Sequence, residues 1–319
     1  TFSNFWFWTF TYASVYTSYQ VPLRDGIENL YFAFHSVIGA SPLAWKIALF
    51  GFAASFLFRK ENERTWFIFF FFIASFISVL PGFYFREHYF VTLMPVIAIY
   101  IGFGLQRASE IFKRIDFTGK LKWLPGAVAV LLFVVAVSEK LRIENDYLFH
   151  RSANDISIHA YGPNPFVETK FLADSIAAHT TSKDQIAVIG SEPQVFFYSH
   201  RHSATGFIYF FPLMELQPYA EKMQQWMISD IEKNEPRYIL YTGYGYLMRI
   251  TPRSGRIIFE WLPKYLNLHY DLIGVVEVLP KDERSKTYWG VEAQTHIVQN
   301  LYCLQVYRKK IHEDGEKNK

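Results

Sequence analysis

The chain of 319 residues carries one cysteine, Cys303, which excludes an internal disulfide framework and any metal site built from several thiolates. Charge is also scarce. Charged residues make up 19% of the sequence, and the net charge of +3, with no basic run interleaved with aromatics, argues against nucleic acid as a partner. Glycine-rich phosphate loops are missing: neither the dinucleotide fingerprint nor a P-loop occurs. Nothing in the sequence calls for a cofactor or a metal. An initiator Met and the basic n-region of a signal peptide are absent too, and the chain opens inside an aromatic stretch. These features lead to the expectation that it is the C-terminal piece of a longer polypeptide.

Aromatic residues, by contrast, are plentiful at 19%, and Phe and Tyr crowd into residues 1–105. The mean hydropathy of +0.06 hides this by averaging an apolar first half with an ordinary second half. Four apolar runs occupy 42–58, 65–80, 90–105 and 123–137. Each is near the short end of the roughly 17–25 residues of a spanning helix. A buried core helix accounts for any one of them; four in succession predict four transmembrane helices within 42–138. Arg59, Lys60 and Arg64 fill the first break, and Arg107, Lys113, Arg114, Lys120 and Lys122 the third. The middle break, 81–89, holds only Arg86 beside Glu87. The excess of cations puts the two basic breaks in the cytoplasm, and 1–41, 81–89 and the chain after Ser138 outside. Lys46 is placed to snorkel to the interface. Residues 27–39 predict an interfacial helix, with His35 as a filler, within an outer segment 1–41.

After Ser138 the composition is that of a globular protein. Apolar spacing predicts helices over 166–180, 219–233 and 254–268, and strands over 185–190, 237–241, 273–279 and 296–307. Such alternation predicts a soluble, Rossmann-like α/β domain with a mostly parallel sheet over 139–310, followed by a disordered charged tail, 311–319. The predicted fold class is therefore a multi-pass α-helical membrane region followed by a soluble α/β domain. Gly190 with Ser191, and Gly243 with Gly245, read as turns. His200 and His202 flank Arg201 at a spacing better suited to an exposed turn than to a metal pair.

Chemistry concentrates in residues 80–95, LPGFYFREHYFVTLMP. Ionisable groups at a membrane interface are costly and mark sites or pathways. Arg86 offers a planar fork of donors matched to phosphate oxygens, His88 a further hydrogen bond, and Phe83–Phe85 an aromatic platform. A lipid-linked phosphate suits that set, and so does a plain headgroup anchor.

This segment, with the aromatic opening at Phe5, Trp6, Phe7, Trp8 and Tyr12, resembles the late membrane region of bacterial GT-C-type glycosyltransferases. These are the multi-pass enzymes related to protein O-mannosyltransferases and the lipid A aminoarabinose transferase. The stretches 186–207 and 235–241 resemble their outward-facing C-terminal domain. The resemblance implies an inner-membrane enzyme with its soluble domain on the periplasmic side. It implies sugar transfer from a polyprenyl-phosphate-linked donor to a lipid, glycan or protein acceptor, with Arg86, His88 and Tyr89 contacting the donor phosphate. The family's catalytic carboxylate belongs upstream of Thr1; Asp25 and Glu28 do not correspond to it. A metal-binding DxD pattern is absent, and relatives using such donors commonly dispense with one. Two other classes compete: a transporter or flippase of lipid-linked sugars, which a pseudo-repeat across the spans would favour, and a non-enzymatic assembly subunit. A carboxylate in the first outer loop would favour the enzyme over both.

Overall fold

The computed structural model describes residues 2–18, 21–57, 62–113, 123–162, 164–243, 248, 250–279, 285–300 and 302–311. Two compact units divide the chain, 1–150 and 151–319. Arg59, Lys60, Arg114, Lys120, Lys122, the turn residues Tyr244 and Gly245, and all of the predicted tail except Ile311 lie outside the described residues.

The N-terminal unit is helical. After the contiguous segments Phe2–Trp6, Phe7–Thr11 and Tyr12–Ser18 come α1 (Leu23–Gly39), α2 (Pro42–Leu57), α3 (Asn62–Ile77), α4 (Met94–Lys113) and α5 (Leu124–Ile143). The expectation of four spans is corrected here. Among the described residues two helices are long and apolar enough to cross a membrane, Glu87–Lys113 and Leu124–Ile143. A third span exists only if α1 and α2, bent by 105° at their junction, count together. The reason is length. Within the described residues α2 and α3 run for 16 residues each, about 24 Å at 1.5 Å per residue, against a hydrocarbon thickness of about 30 Å. The predicted interfacial helix is all of α1 after its first four residues, and there the His35 ring stacks on Tyr31 at 6.3 Å. Lys46 is exposed on α2.

Helices α2 and α4 cross with backbones in contact. A Cβ on Gly51 would lie 1.8 Å from the Tyr100 carbonyl oxygen, and one on Gly104 would lie 2.4 Å from the Ile47 carbonyl oxygen. Small residues at such a crossing are the usual route to close helix packing in lipid, where apolar burial supplies no drive for association. Around the crossing, the Tyr100 ring meets Phe52 edge-on at 5.2 Å and Phe72 at 6.2 Å. Glu139 of α5 accepts a 2.9 Å hydrogen bond from the Leu43 N–H in the first turn of α2.

The C-terminal unit is a six-stranded sheet of β1 (Gln185–Ile189), β2 (His202–Ser203), β3 (Tyr238–Thr242), β4 (Tyr270–Glu277), β5 (Lys286–Trp289) and β6 (Cys303–Lys309). Its order is β2-β1-β3-β6-β4-β5. Helix α6 (Phe166–Ala178) covers one face; the unit also holds α7 (Ala220–Asn234), α8 (Ile257–His269) and the shorter helices Ala153–Tyr161, Gln194–Ser199, Phe211–Met214 and Val291–Thr295. The expected mostly parallel, Rossmann-like sheet is corrected to a mixed one. Only β2, β1 and β3 run parallel; β3–β6, β6–β4 and β4–β5 are antiparallel pairs. The connection from β4 to β5 is shorter than the dozen or so residues a parallel crossover needs, so it makes a hairpin. Strand β6 then inserts between β3 and β4 instead of extending the edge. Residues 296–300, predicted as the start of the last strand, are coil. Leu172 and Ile176 of α6 pack on Ile186, Val188, Leu240, Leu304 and Val306. Ala187, Ile189 and Ile239, which alternate with these along the strands, are also buried, as the central strands of a sheet covered on both faces require.

Close contact at Gly51 makes a clear expectation. Gly51→Ala should lower the thermal midpoint of the detergent-solubilised protein by more than the equivalent of ordinary overpacking, ~1–3 kcal/mol. Gly102→Ala, where nothing lies within 4 Å of the added carbon, should leave it unchanged. Equal midpoints for the two variants would show that the helices do not meet at Gly51.

Candidate functional site

Arg86, His88 and Tyr89 lie together where the chain turns into the span Glu87–Lys113. A 3-10 turn, Pro81–Phe83, begins the reversal, with Gly82 at φ +74°. Phe83 and Phe85 follow at φ +55° and +43°. Bulky residues are rare in that left-handed region, and each costs on the order of 1–3 kcal/mol that the surroundings must supply. Helix α1 supplies part of it. Asn29 Nδ2 donates to the Phe83 carbonyl at 3.4 Å, and Gly26 lets the turn so close that an added Cβ would sit 2.9 Å from Phe83 Cβ. The Val21 N–H donates to the Gly82 carbonyl at 3.2 Å.

The turn sorts its side chains. Phe85 and Phe90 are buried in the apolar cluster with Ala33, Val79, Leu93 and Val96, while Arg86, Glu87 and His88 are exposed. The aromatic platform expected from Phe83–Phe85 is therefore not presented outward: Phe85 is buried and stacks on Phe83 at 6.1 Å. Only Tyr84 serves, with Arg86 Cζ 5.9 Å from its ring centroid. Among the described residues that is the one partner of the Arg86 guanidinium, and no ion pair joins it to Glu87. The His88 ring meets Tyr89 edge-on at 4.8 Å. The Tyr89 N–H donates to the Arg86 carbonyl at 2.8 Å, closing the first 3-10 turn. Ser78 Oγ lies 2.9 Å from Thr92 Oγ1, whose hydroxyl donates to the Tyr89 carbonyl at 3.0 Å, so α3 braces the far side. Chemically, the site offers a guanidinium fork with no carboxylate partner among the described residues, an imidazole and a phenol at the mouth of an apolar helix. Gly26 and Asn29 escape a sequence reading because their partner is more than fifty residues away. Asp25 and Glu28 sit on α1, where Glu28 lies 3.8 Å from exposed Arg24.

The second unit resolves the other motifs. Arg201 is spent on structure: its guanidinium donates to the carbonyls of Ala177, Thr180, Ser199 and His200 and to Thr180 Oγ1, at 2.7–3.1 Å. This ties the C-terminal end of α6 to the loop before β2. His200 caps a short helix in the left-handed conformation, and exposed His202 pairs into β2. No group of three or more candidate metal ligands occurs among the described residues. Gly190 makes room for protein rather than for phosphate, since a Cβ there would lie 2.2 Å from Thr242 Oγ1 and 2.5 Å from Glu192 Oε2. Thr242, at the end of β3, donates to buried Glu192 at 2.6 Å. Burial pushes the Glu192 carboxyl up to about 7, against the opposing effect of that hydrogen bond. On the opposite strand pair, Glu277 is held below its ordinary value. Burial alone would raise it, but the Gln299 and Asn300 N–H groups and His296 outweigh that.

No known protein family, characterised protein or solved structure matches the chain.

Glu192 generates a pH signature. With a folded value of about 7 above an ordinary 4.5, the native state keeps a proton that the unfolded chain releases between those limits. Stability is then full below pH 4.5 and falls as pH rises toward 7, by about 3 kcal/mol at ~1.4 kcal/mol per unit. Glu192→Gln should remove this slope from the denaturation midpoint of the C-terminal unit measured from pH 4.5 to 8. An unaltered slope in the variant would contradict the assignment.

Proposed function

We propose that the chain is the donor-binding part of a membrane glycosyltransferase that moves a sugar from a polyprenyl-phosphate-linked donor to an acceptor on the outer face. The observation that carries this reading is the exposed Arg86 guanidinium, with no carboxylate partner among the described residues, at the start of a helix apolar enough to cross a membrane. A phosphate whose lipid tail lies along such a helix meets a bidentate donor there, with His88 and Tyr89 in the same turn. In the reaction the bond between the sugar's anomeric carbon and the phosphate oxygen breaks, and the acceptor oxygen takes the carbon. Negative charge then grows on the departing lipid phosphate. A guanidinium fixed at that oxygen stabilises the growing charge more than the ground state, which lowers the barrier. Glu87 in the same turn cancels the local field, so recognition depends on the Arg86 fork rather than on a broad positive potential. No residue described here is given the part of the general base.

Sidedness follows from the sequence. Arg107, Lys113, Arg114, Lys120 and Lys122 lie in or beside the connection between the two candidate spans, which the positive-inside bias puts in the cytoplasm. The Arg86 turn and the chain after Ile143 then face the outside of the inner membrane.

In membrane vesicles supplied with a polyprenyl-phosphate sugar, Arg86→Ala should reduce transfer at least a hundredfold, and Arg86→Lys less severely. Membrane insertion should be unchanged in both, and Glu87→Gln should tighten donor binding severalfold. Full activity of Arg86→Ala would leave Arg86 as a headgroup anchor and refute its role at the phosphate.

A further inference from the structure

The C-terminal unit contains a cavity of about 220 Å³ beside the last turn of α6, over the sheet at β3, β6 and β4 and bounded by the end of β5. Its apolar wall is Ile176, Ile273 and Val306, with the half-buried Trp289 indole. The indole lies flat on β4 because residue 274 is glycine: a Cβ there would be 2.6 Å from Trp289 Cζ3. Two basic side chains reach the rim. His179 is held by a 2.8 Å hydrogen bond from Nδ1 to the Ser175 carbonyl, which leaves Nε2 as its remaining hydrogen-bonding atom. Arg308 is exposed on β6, and although Asp271 lies across from it in the β4–β6 register, no ion pair joins them among the described residues. Among the described residues no carboxylate lines the cavity.

We propose that this cavity binds a small organic anion, its oxyanion held by Arg308 with His179 beside it, and its apolar body lying between Trp289 and the Ile176–Val306 wall. The volume falls below the ~300–1,000 Å³ of pockets for drug-sized ligands, so the occupant is smaller than those. The permanent cation calls for an anionic head group, and the guanidinium fork suits a carboxylate or a phosphate monoester alike. An uncharged molecule of the same shape would leave the Arg308 donors unmatched. This inference stands apart from the proposed sugar transfer and uses none of its residues.

The full chain in a neutral detergent is titrated with benzoate, phenyl phosphate, inorganic phosphate and benzyl alcohol, with binding followed by calorimetry. Saturable binding of benzoate or phenyl phosphate is expected, at least tenfold tighter than benzyl alcohol or inorganic phosphate, and the tighter of the two organic anions identifies the head group. Arg308→Gln should weaken it at least tenfold, and Ser175→Phe, which fills the cavity from α6, should abolish it. Unliganded melting of Arg308→Gln should match the parent, so that its loss reports the site and not the fold. Failure of both organic anions to bind the parent protein, or undiminished binding by Arg308→Gln, overturns the proposal. Inorganic phosphate bound as tightly as the organic anions would also overturn it, because the apolar wall would then contribute nothing.

Discussion

Gly51 and Gly104 bring two helix backbones into contact, and the rest of the N-terminal unit is arranged around that approach. Helix α4 continues directly from the Arg86 turn, so wherever α2 holds α4, it also sets the position of Arg86, His88 and Tyr89. Helix α1, bent away from α2 by 105°, is thereby aimed at the same turn, where Gly26 and Asn29 hold Phe83 in its left-handed conformation. The aromatic rings around Tyr100 fill the space that the close crossing leaves on either side. A polar turn thus rests on a helix pair whose spacing allows no side chain at two positions.

The C-terminal unit solves a different problem with the same economy of special residues. Its parallel strands end at a buried acid, and Gly190 exists so that Thr242 can reach it. Its antiparallel half is built on a hairpin, with Gly274 absent of side chain so that Trp289 can lie on the sheet. Arg201 makes five bonds, three of them to the C-terminal end of the helix that covers both halves.

Local patterns were readable wherever they were strong. QIAVI and YILY announce β1 and β3, and the apolar spacing of Leu172 with Ile176 marks α6. The charged island at Arg86 stands out against its apolar flanks without any structure. What could not be read was pairing and length. Strand β5, KTYW, is short and at most half-buried, so it carries no apolar signal. The placing of β6 between β3 and β4 is a non-local choice that no window of sequence contains. Hydropathy also marked the runs at 42–58 and 65–80 correctly as apolar but could not show that their helices run for 16 residues each within the described residues. The clamp on Phe83 was invisible for the same reason as β6: its two halves are far apart in the chain.

The hydrogen bond from Leu43 to Glu139 has a consequence for the order of assembly. Pro42 has no N–H to satisfy, and the next donor in the first turn of α2 is met by a carboxylate that is synthesised almost a hundred residues later. Until α5 has emerged and docked, that end of α2 must rely on water or lipid headgroups. That end of α2 therefore reaches its final hydrogen bonding only after α5 is in place.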